Sequence, residues 1–186
     1  MWRLAEWAGC LDPRVVQGTS SPNGVVGLAI DGVPRSGRTR AELYELVALL
    51  KRHNATATFF VRHDALTSSL VQGLIALVKE NGHEVGVHCG PCGVTQLRQR
   101  VCEALHLLCR KHGLRVHYAR VPGASAEQIS ELEFLGLTVV CGCARHCAAL
   151  RNGDVYMVDD ALAENLELNE ELTYTTIHDL LETIWA

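Results

Sequence analysis

Short apolar runs alternate with helical patterns along most of the chain. The first run, 25–30, is followed by a turn-rich segment and then by a helical pattern over 40–53 with apolar residues on one side. Strands that alternate with helices at this spacing predict right-handed βαβ units and a parallel sheet. About seven such units favour a barrel, although the pattern alone does not separate a barrel from an open doubly wound sheet. The predicted strands are 25–30, 55–61, 84–88, 116–121, 137–143, 154–158 and 173–177, and the later helices are 70–79, 95–111, 126–135 and 161–171.

Length and charge restrict the class of protein. A chain of 186 residues suits one domain, which we place at 24–186 after an N-terminal extension at 1–23. The net charge of −4 argues against a general nucleic-acid or anionic-membrane binder. No apolar run approaches the roughly 20 residues of a membrane span. Residues 1–16 lack a basic start followed by an apolar core, so we expect no secretory signal and favour a cytoplasmic location.

Reactive residue types follow the predicted strands directly. In parallel α/β folds such residues meet just past the carboxyl ends of the strands. A carboxylate, an imidazole and a thiol at one rim would suit zinc with an open coordination position, whereas a strand-end Asp is equally a turn cap. His88 and Cys92 lie four apart, a spacing that a helical turn would bring to one point. The strand-end residues are Asp31, His88, Cys89, Cys92, Arg120, Asp159 and Asp160, together with the segment 143–147.

The eight cysteines allow a second kind of chemistry. Cys89-Gly90-Pro91-Cys92 is a C-x-x-C between a strand and a helix, the place of a thioredoxin-like redox motif, although no Trp precedes it. Three thiols and an imidazole at 141–147 have the residue types of a zinc site, but their irregular spacing favours buried thiols. We expect Cys102, Cys109, Cys141 and Cys143 to be buried and free of disulfides.

Four segments together resemble one known family. They are Val-Gly-Leu-Ala-Ile-Asp-Gly-Val-Pro (26–34), Lys-Arg-His-Asn-Ala-Thr-Ala-Thr-Phe-Phe-Val (51–61), Asn-Gly-His-Glu-Val-Gly-Val-His (81–88) and Arg-Val-Pro-Gly (120–123). This order is similar to the polysaccharide deacetylases, the NodB-homology domain of carbohydrate esterase family four. The resemblance runs from about residue 24 to the end, where 172–181 looks like the closing strand and helix of the family. It implies a distorted (β/α) barrel of about seven parallel strands.

The resemblance also implies an activity and a metal site. The family removes N- or O-acetyl groups from carbohydrates with a divalent metal held by one Asp and two His, an Asp base and a His acid. The motif T-F-D-D-G falls on 28–32, which makes Asp31 the metal-binding carboxylate and places Ile30 at the base position. The motif H-x-x-x-H falls on His88 and Cys92, so the second imidazole is replaced by a thiol.

Two further motifs are also altered. The motif R-x-P-Y-G is represented by Arg120, Pro122 and Gly123, without its Tyr; the resemblance implies substrate contacts for Pro122 and Gly123. In the family this Arg orients the base, so without a base Arg120 is expected to be an unpaired cation or a surface residue. Asp159 stands where the family has its acid His, which makes it the remaining candidate for proton transfer.

Three functions therefore remain open from the sequence. The leading hypothesis is a deacetylase homologue with weak or lost activity that binds an acetylated carbohydrate or a protein partner. The second is an active zinc amidohydrolase with a rearranged Asp31-His88-Cys92 site and Asp159 as its acid–base group. The third is a thiol redox or metal-binding protein that uses Cys89 and Cys92. The expected cofactor is zinc or another divalent metal, with a metal-free protein as the alternative.

Overall fold

The computed structural model describes residues 14, 16, 24–141, 153–159, 166 and 168–182. Seven parallel strands form one sheet in the order β5-β4-β3-β2-β1-β6, and β7 pairs with the amino-terminal part of β1 on its β2 side. The strands are β1 (Val25–Val33), β2 (Thr58–Arg62), β3 (Glu84–His88), β4 (Tyr118–Arg120), β5 (Thr138–Val139), β6 (Val155–Asp159) and β7 (Thr173–Thr175).

A contact across the sheet decides between the two architectures that the sequence left open. Each strand from β2 to β5 lies beside its predecessor, and β6 occupies the other edge of β1, an order that a doubly wound sheet also shows. Arg120 on β4 nevertheless reaches Asp31 on β1 across two intervening strands, which requires a curled sheet. The sheet curls into a distorted (β/α) barrel, as predicted, and within the described residues no pairing joins β5 to β6.

Helices follow most of the strands; the first four cover the outside of the curl, and the last packs at its amino end. They are α1 (Arg40–Arg52), α2 (Ser69–Glu80), α3 (Val94–His112), α4 (Ala126–Phe134) and α5 (Ile177–Glu182), with one 3₁₀ turn at His63–Ala65. Thr39 and Glu42 form a capping box at the start of α1, which satisfies backbone donors at that helix end. Gly113 ends α3 with φ +64°, a conformation that glycine adopts without a Cβ clash.

The core has two parts because successive residues of a strand point to opposite faces. Ile30 and Phe59 belong to the larger cluster between the sheet and the outer helices. Ala29, Phe60 and Tyr118 belong to a smaller cluster inside the curl. Helix α5 packs at the amino ends of the strands, where the Thr58 hydroxyl accepts a hydrogen bond from the Ile177 backbone N–H at 2.9 Å.

The structure confirms some sequence expectations and corrects others. The closing strand and helix expected over 172–181 are confirmed as β7 and α5. The helix predicted over 161–171 is wrong for its described residues 166 and 168–171, which are not helical. Cys102 and Cys109 are exposed rather than buried, because the buried face of α3 is formed by Leu97, Val101, Ala104 and Leu108. The cysteines of the described segments are all free, and Cys143 lies outside them. None of the described helices is long and apolar enough to cross a membrane.

Candidate functional site

Polar side chains form the last inward-facing row at the carboxyl ends of the strands. Ala29, Phe60 and Tyr118 face the interior, so the residues two positions later on the same strands do too. Gly86 on β3 faces Phe60, and Met157 on β6 lies in the interior cluster, which extends the row to those strands. The row contains Asp31, Arg62, His88, Arg120 and Asp159.

Asp31 lies at the centre of this row and accepts two hydrogen bonds. His88 Nδ1 lies 2.7 Å from Asp31 Oδ1, and Arg120 Nε lies 3.2 Å from Oδ2. The side chains of Asp31, His88 and Arg120 retain only 11%, 17% and 16% of their exposure, respectively. A carboxylate of this burial is held strongly by charge-assisted bonds, and here each oxygen already has a donor.

The backbone after Asp31 changes course. The β1–β2 register is irregular between Ile30 and Val33, and Gly32 has φ +72°. An irregularity of this kind bends a strand locally. A Cβ on Gly32 would meet no atom within 4 Å, so there is open space for a side chain at this position.

Ile30 lies on the opposite face of β1. It is fully buried and belongs to the cluster between the sheet and the outer helices. A side chain at this position therefore points away from the row that contains Asp31. The expectation that Arg120 is unpaired is wrong, since its guanidinium binds the one carboxylate that β1 presents to the interior.

Arg120 makes a second, weaker contact. Its Nη1 lies 3.6 Å from Cys141 Sγ, and its backbone carbonyl accepts a hydrogen bond from the Cys89 N–H at 2.9 Å. Nη2 has no acceptor among the described residues.

Cys92 does not join Asp31 and His88. Residues 89–93 form a non-helical segment and α3 begins only at Val94, so His88 and Cys92 do not share the helical turn that their spacing suggested. Gly90, Pro91 and Gly93 favour this loop. The Cys92 carbonyl accepts a hydrogen bond from Gln128 Nε2 at 2.7 Å, which ties the loop to α4.

The described residues do not fit the expected metal. No group of three or more His, Cys, Asp and Glu side chains in the described segments is arranged to hold a metal ion. Asp31 and His88 supply two donors, whereas a catalytic zinc site uses three protein ligands. The cationic Arg120 also lies against the carboxylate that would bind the metal. The described residues therefore differ from a catalytic zinc site both in the number of metal donors and in the charge beside them.

Cys89 lies in an environment unlike that of a redox nucleophile. The residue is only 1% exposed, and burial raises the pKa of its thiol to about 12, with the nearby Cys92 acting in the same direction. Reactive C-x-x-C motifs have a lowered thiol pKa, because the thiolate is the nucleophile.

The remaining predicted residues lie at the edge of the site. Asp159 is exposed and is the register partner of Asp31 across the β1–β6 pair. Pro122 and Gly123 are exposed in the turn after β4. These positions place Asp159 beside Asp31 but show no contact between them.

Sequence reasoning missed Arg62 and His63. Arg62 Nε and Nη2 donate to Asp64 at 3.0 and 2.7 Å, which leaves Arg62 paired outside the Asp31 cluster. Burial and the charge of Arg100 lower the pKa of His63. The sequence pattern could have identified Arg62, because it directly follows the predicted strand 55–61 and therefore lies at the same rim as Asp31 and His88.

Comparisons with known proteins address the fold. No family model matches the sequence, and no curated protein matches it. Among solved structures, a CE4 family pseudoenzyme from Bacillus anthracis superposes with a TM-score of 0.73 at 16% identity, covering 92% of this chain and 70% of that one. A mutant of that pseudoenzyme with restored enzymatic activity matches with a TM-score of 0.72 at 16% identity, over 92% of this chain and 72% of the mutant.

Two further solved structures, a deacetylase and an esterase by name, have the same architecture. The peptidoglycan deacetylase PdaC from Bacillus subtilis gives a TM-score of 0.68 at 17% identity, over 88% of this chain and 93% of that one. A family 4 carbohydrate esterase from Bacillus anthracis gives 0.69 at 18% identity, over 90% and 86%. The likeness extends over most of both chains in each case. This chain therefore has the fold of the carbohydrate esterase family four polysaccharide deacetylases, as the resemblance of its sequence implied.

Proposed function

We propose that this chain is a polysaccharide-deacetylase-like protein that has lost its metal and with it most hydrolytic activity, and that binds an acetylated carbohydrate at the strand-end row. The observation that carries the proposal is the contact between Arg120 Nε and Asp31 Oδ2 at 3.2 Å. In the family that the sequence resembles, the corresponding Arg orients the base. The contact therefore supports an alignment in which Asp31, and not Ile30, occupies the position of the base.

This assignment changes which carboxylate of the motif this chain lacks: the base is present as Asp31, and the metal-binding Asp is absent. If Asp31 takes the place of the base, Gly32 takes the place of the metal-binding Asp in the motif T-F-D-D-G. Gly32 has no side chain, and Cys92 replaces the second imidazole. His88 is then the only member of the metal set that this chain retains.

Loss of the metal has a large chemical cost. A bound zinc ion lowers the pKa of its water from 15.7 to about 7 and polarises the carbonyl that is attacked. Asp31 could still accept a proton from water, but the water would be unactivated. Asp159 is exposed at the end of β6. Binding of a sugar does not require any of these steps.

The experiment combines metal analysis with acetate release. We expect protein purified without chelator to contain no stoichiometric zinc and to release acetate from chitin oligosaccharides far below the ordinary enzymatic range of about 1–10³ s⁻¹. Stoichiometric zinc, or turnover within that range, would overturn the proposal and favour the rearranged amidohydrolase.

A gain-of-function variant tests the assignment of Gly32. The substitution Gly32→Asp adds a carboxylate next to Asp31, which together with His88 gives three donors. Asp is among the residues that tolerate φ near +70°, and no atom obstructs its Cβ. We expect zinc affinity to rise at least tenfold. Gly37→Asp is the matched control, since Gly37 has φ +81° and equally open space outside the row. Equal zinc affinity in both variants would contradict the assignment.

A further inference from the structure

Two residues that precede the predicted domain, Arg14 and Val16, are attached to it beside β5. The Val16 N–H donates to the Val139 carbonyl at 2.8 Å, and the Val16 carbonyl accepts a hydrogen bond from the Cys141 N–H at 2.8 Å. Val16 thereby pairs in parallel with Val140, directly after β5, which is the last strand of the sheet order on this side. An extended segment that pairs at the edge of a sheet satisfies backbone groups of the edge strand.

The Val16 side chain lies inside the curl. It is 3% exposed and belongs to the interior cluster, which also contains Tyr118 of β4 and Val155 of β6. Val16 therefore packs in the same interior layer as strands near both ends of the sheet. Burial of its side chain supplies the apolar part of the attachment.

Arg14 attaches the same segment to helix α4. Its Nη1 donates to Ser130 Oγ at 2.7 Å and to Glu133 Oε2 at 3.2 Å, and its Nη2 donates to the Ala126 carbonyl at 3.3 Å. The side chains of Arg14 and Glu133 keep 34% and 41% of their exposure, so this ion pair is screened by water. An attachment of this size can open locally while the sheet stays folded.

The segment is connected to the strand-end row through Cys141. Val16 binds the Cys141 backbone, and the Cys141 Sγ accepts a hydrogen bond from Arg120 Nη1 at 3.6 Å. We propose that Arg14 and Val16 form a strap that positions Arg120 through Cys141. The docked strap holds the thiol against the guanidinium that binds Asp31, and its release lets both side chains move. The inference goes beyond the proposed function and does not depend on it, because it concerns the geometry of the row whether or not a carbohydrate binds.

Hydrogen-exchange NMR of the full chain tests the strap. In Val16→Ala, which removes two methyl groups from the interior, we expect the Cys141 amide to exchange at least tenfold faster and the ¹H–¹⁵N signal of Arg120 Nε to shift. Val78→Ala is the matched control, since it removes the same groups from a fully buried position on α2 and should leave both readouts unchanged. The Cys89 amide, which donates to the Arg120 carbonyl at 2.9 Å, is the internal reference. Equal acceleration at Cys89 and Cys141 would mean that the sheet opens as a whole, and it would overturn the strap.

Three further variants test each link of the strap. Arg14→Gln should also speed exchange of the Cys141 amide, whereas Arg98→Gln, which removes another ion pair with α4, should not. Cys141→Ala should shift the Arg120 Nε signal but keep the amide at position 141 protected, because the backbone bond to Val16 remains.

Two results would contradict the proposal. Unchanged exchange of the Cys141 amide in both Val16→Ala and Arg14→Gln would overturn the strap. A Val16→Ala protein whose Cys141 amide exchanges faster while the Arg120 Nε signal keeps its wild-type position would overturn the positioning of Arg120.

Discussion

Asp31 and Arg120 lie on strands that are not neighbours, yet Arg120 Nε reaches Asp31 Oδ2 at 3.2 Å. Strands β2 and β3 separate them in the sheet, and the contact crosses the interior of the curl above Phe60 and Gly86. Such a contact is possible because the sheet is curved and because the layer beneath it contains a glycine. It joins the first and fourth strands at the site.

Removal of the Asp31 charge should destabilise the fold. Asp31→Asn leaves Arg120 and His88 without their carboxylate in a site where all three side chains are mostly buried, and we expect a loss of about 2–4 kcal/mol in the free energy of unfolding. Urea denaturation provides the measurement. Asp64→Asn is the control, because the Arg62–Asp64 pair is exposed and should contribute about 1 kcal/mol or less. Equal losses in the two variants would show that the Asp31 cluster has no special strength.

The sequence supported prediction of the strand-end residues but not of their partners. Asp31 directly follows a predicted strand, and His88 and Arg120 lie at or near the end of one; that local pattern suffices to place them at one rim. Which of them touch depends on the stagger between strands and on the bulge at Gly32, and neither is a local property of the sequence. For the same reason the assignment of Ile30 to the base position missed that Ile30 and Asp31 point to opposite faces.

The helix and loop errors have different causes. The expectation that Cys102 and Cys109 are buried is wrong because the buried face of α3 passes through Val101 and Leu108, one position earlier. A phase error of one residue rotates a side chain by about 100°. Cys92 was assigned to a helical turn, yet Gly90 and Pro91 precede the helix. Glycine and proline both favour loops, so the sequence itself predicts a loop at this point.

Substitution of Ile30 tests which face it occupies. Ile30→Asp should place an unpaired charge in the core between β1 and the outer helices, so we expect severe destabilisation, of more than about 4 kcal/mol, or failure to fold. Ile30→Val should cost only about 0.5–1.5 kcal/mol. Expression yield and thermal melting compare the two variants. A stable, well-folded Ile30→Asp protein would show that residue 30 can reach the polar row.

Acid should weaken the fold through His83. Burial lowers the pKa of His83 from 6.5 to about 4 in the folded chain, and its Nδ1 accepts a hydrogen bond from the Ala57 N–H at 3.3 Å. The unfolded chain therefore takes up the proton first, so stability is complete above pH 6.5 and is lost as the pH falls toward 4. At pH 5 the loss from His83 alone should be about 2 kcal/mol.

The variant His83→Gln isolates this contribution. Glutamine keeps an acceptor for Ala57 but does not titrate, so the stability difference between pH 7 and pH 5 should shrink by about 2 kcal/mol in urea melts. Burial also lowers the pKa of His63, His112 and His117, which is why the comparison must be made between variants rather than on the wild type alone. Exposed His53→Gln is the control and should leave the pH dependence unchanged. The same pH dependence in His83→Gln and wild type would refute this account.

The close approach of Phe60 to Gly86 supports the polar row from below. A Cβ on Gly86 would lie 2.6 Å from Phe60 Cε1 and 3.2 Å from the Tyr118 carbonyl oxygen. Gly86→Ala should therefore cost about 1–3 kcal/mol through overpacking.

A double-mutant cycle separates overpacking from other effects of Gly86→Ala. Phe60→Leu removes the ring that meets the new methyl group, so the pair Gly86→Ala and Phe60→Leu should be more stable than the sum of the two single losses predicts. Gly90→Ala is the control, since a Cβ there meets no atom within 4 Å and should change stability by less than about 0.5 kcal/mol. Strict additivity of Gly86→Ala and Phe60→Leu would mean that the ring does not limit this position. Coupling between them would show that the inner layer beneath Asp31 and His88 is packed tightly enough to fix their positions.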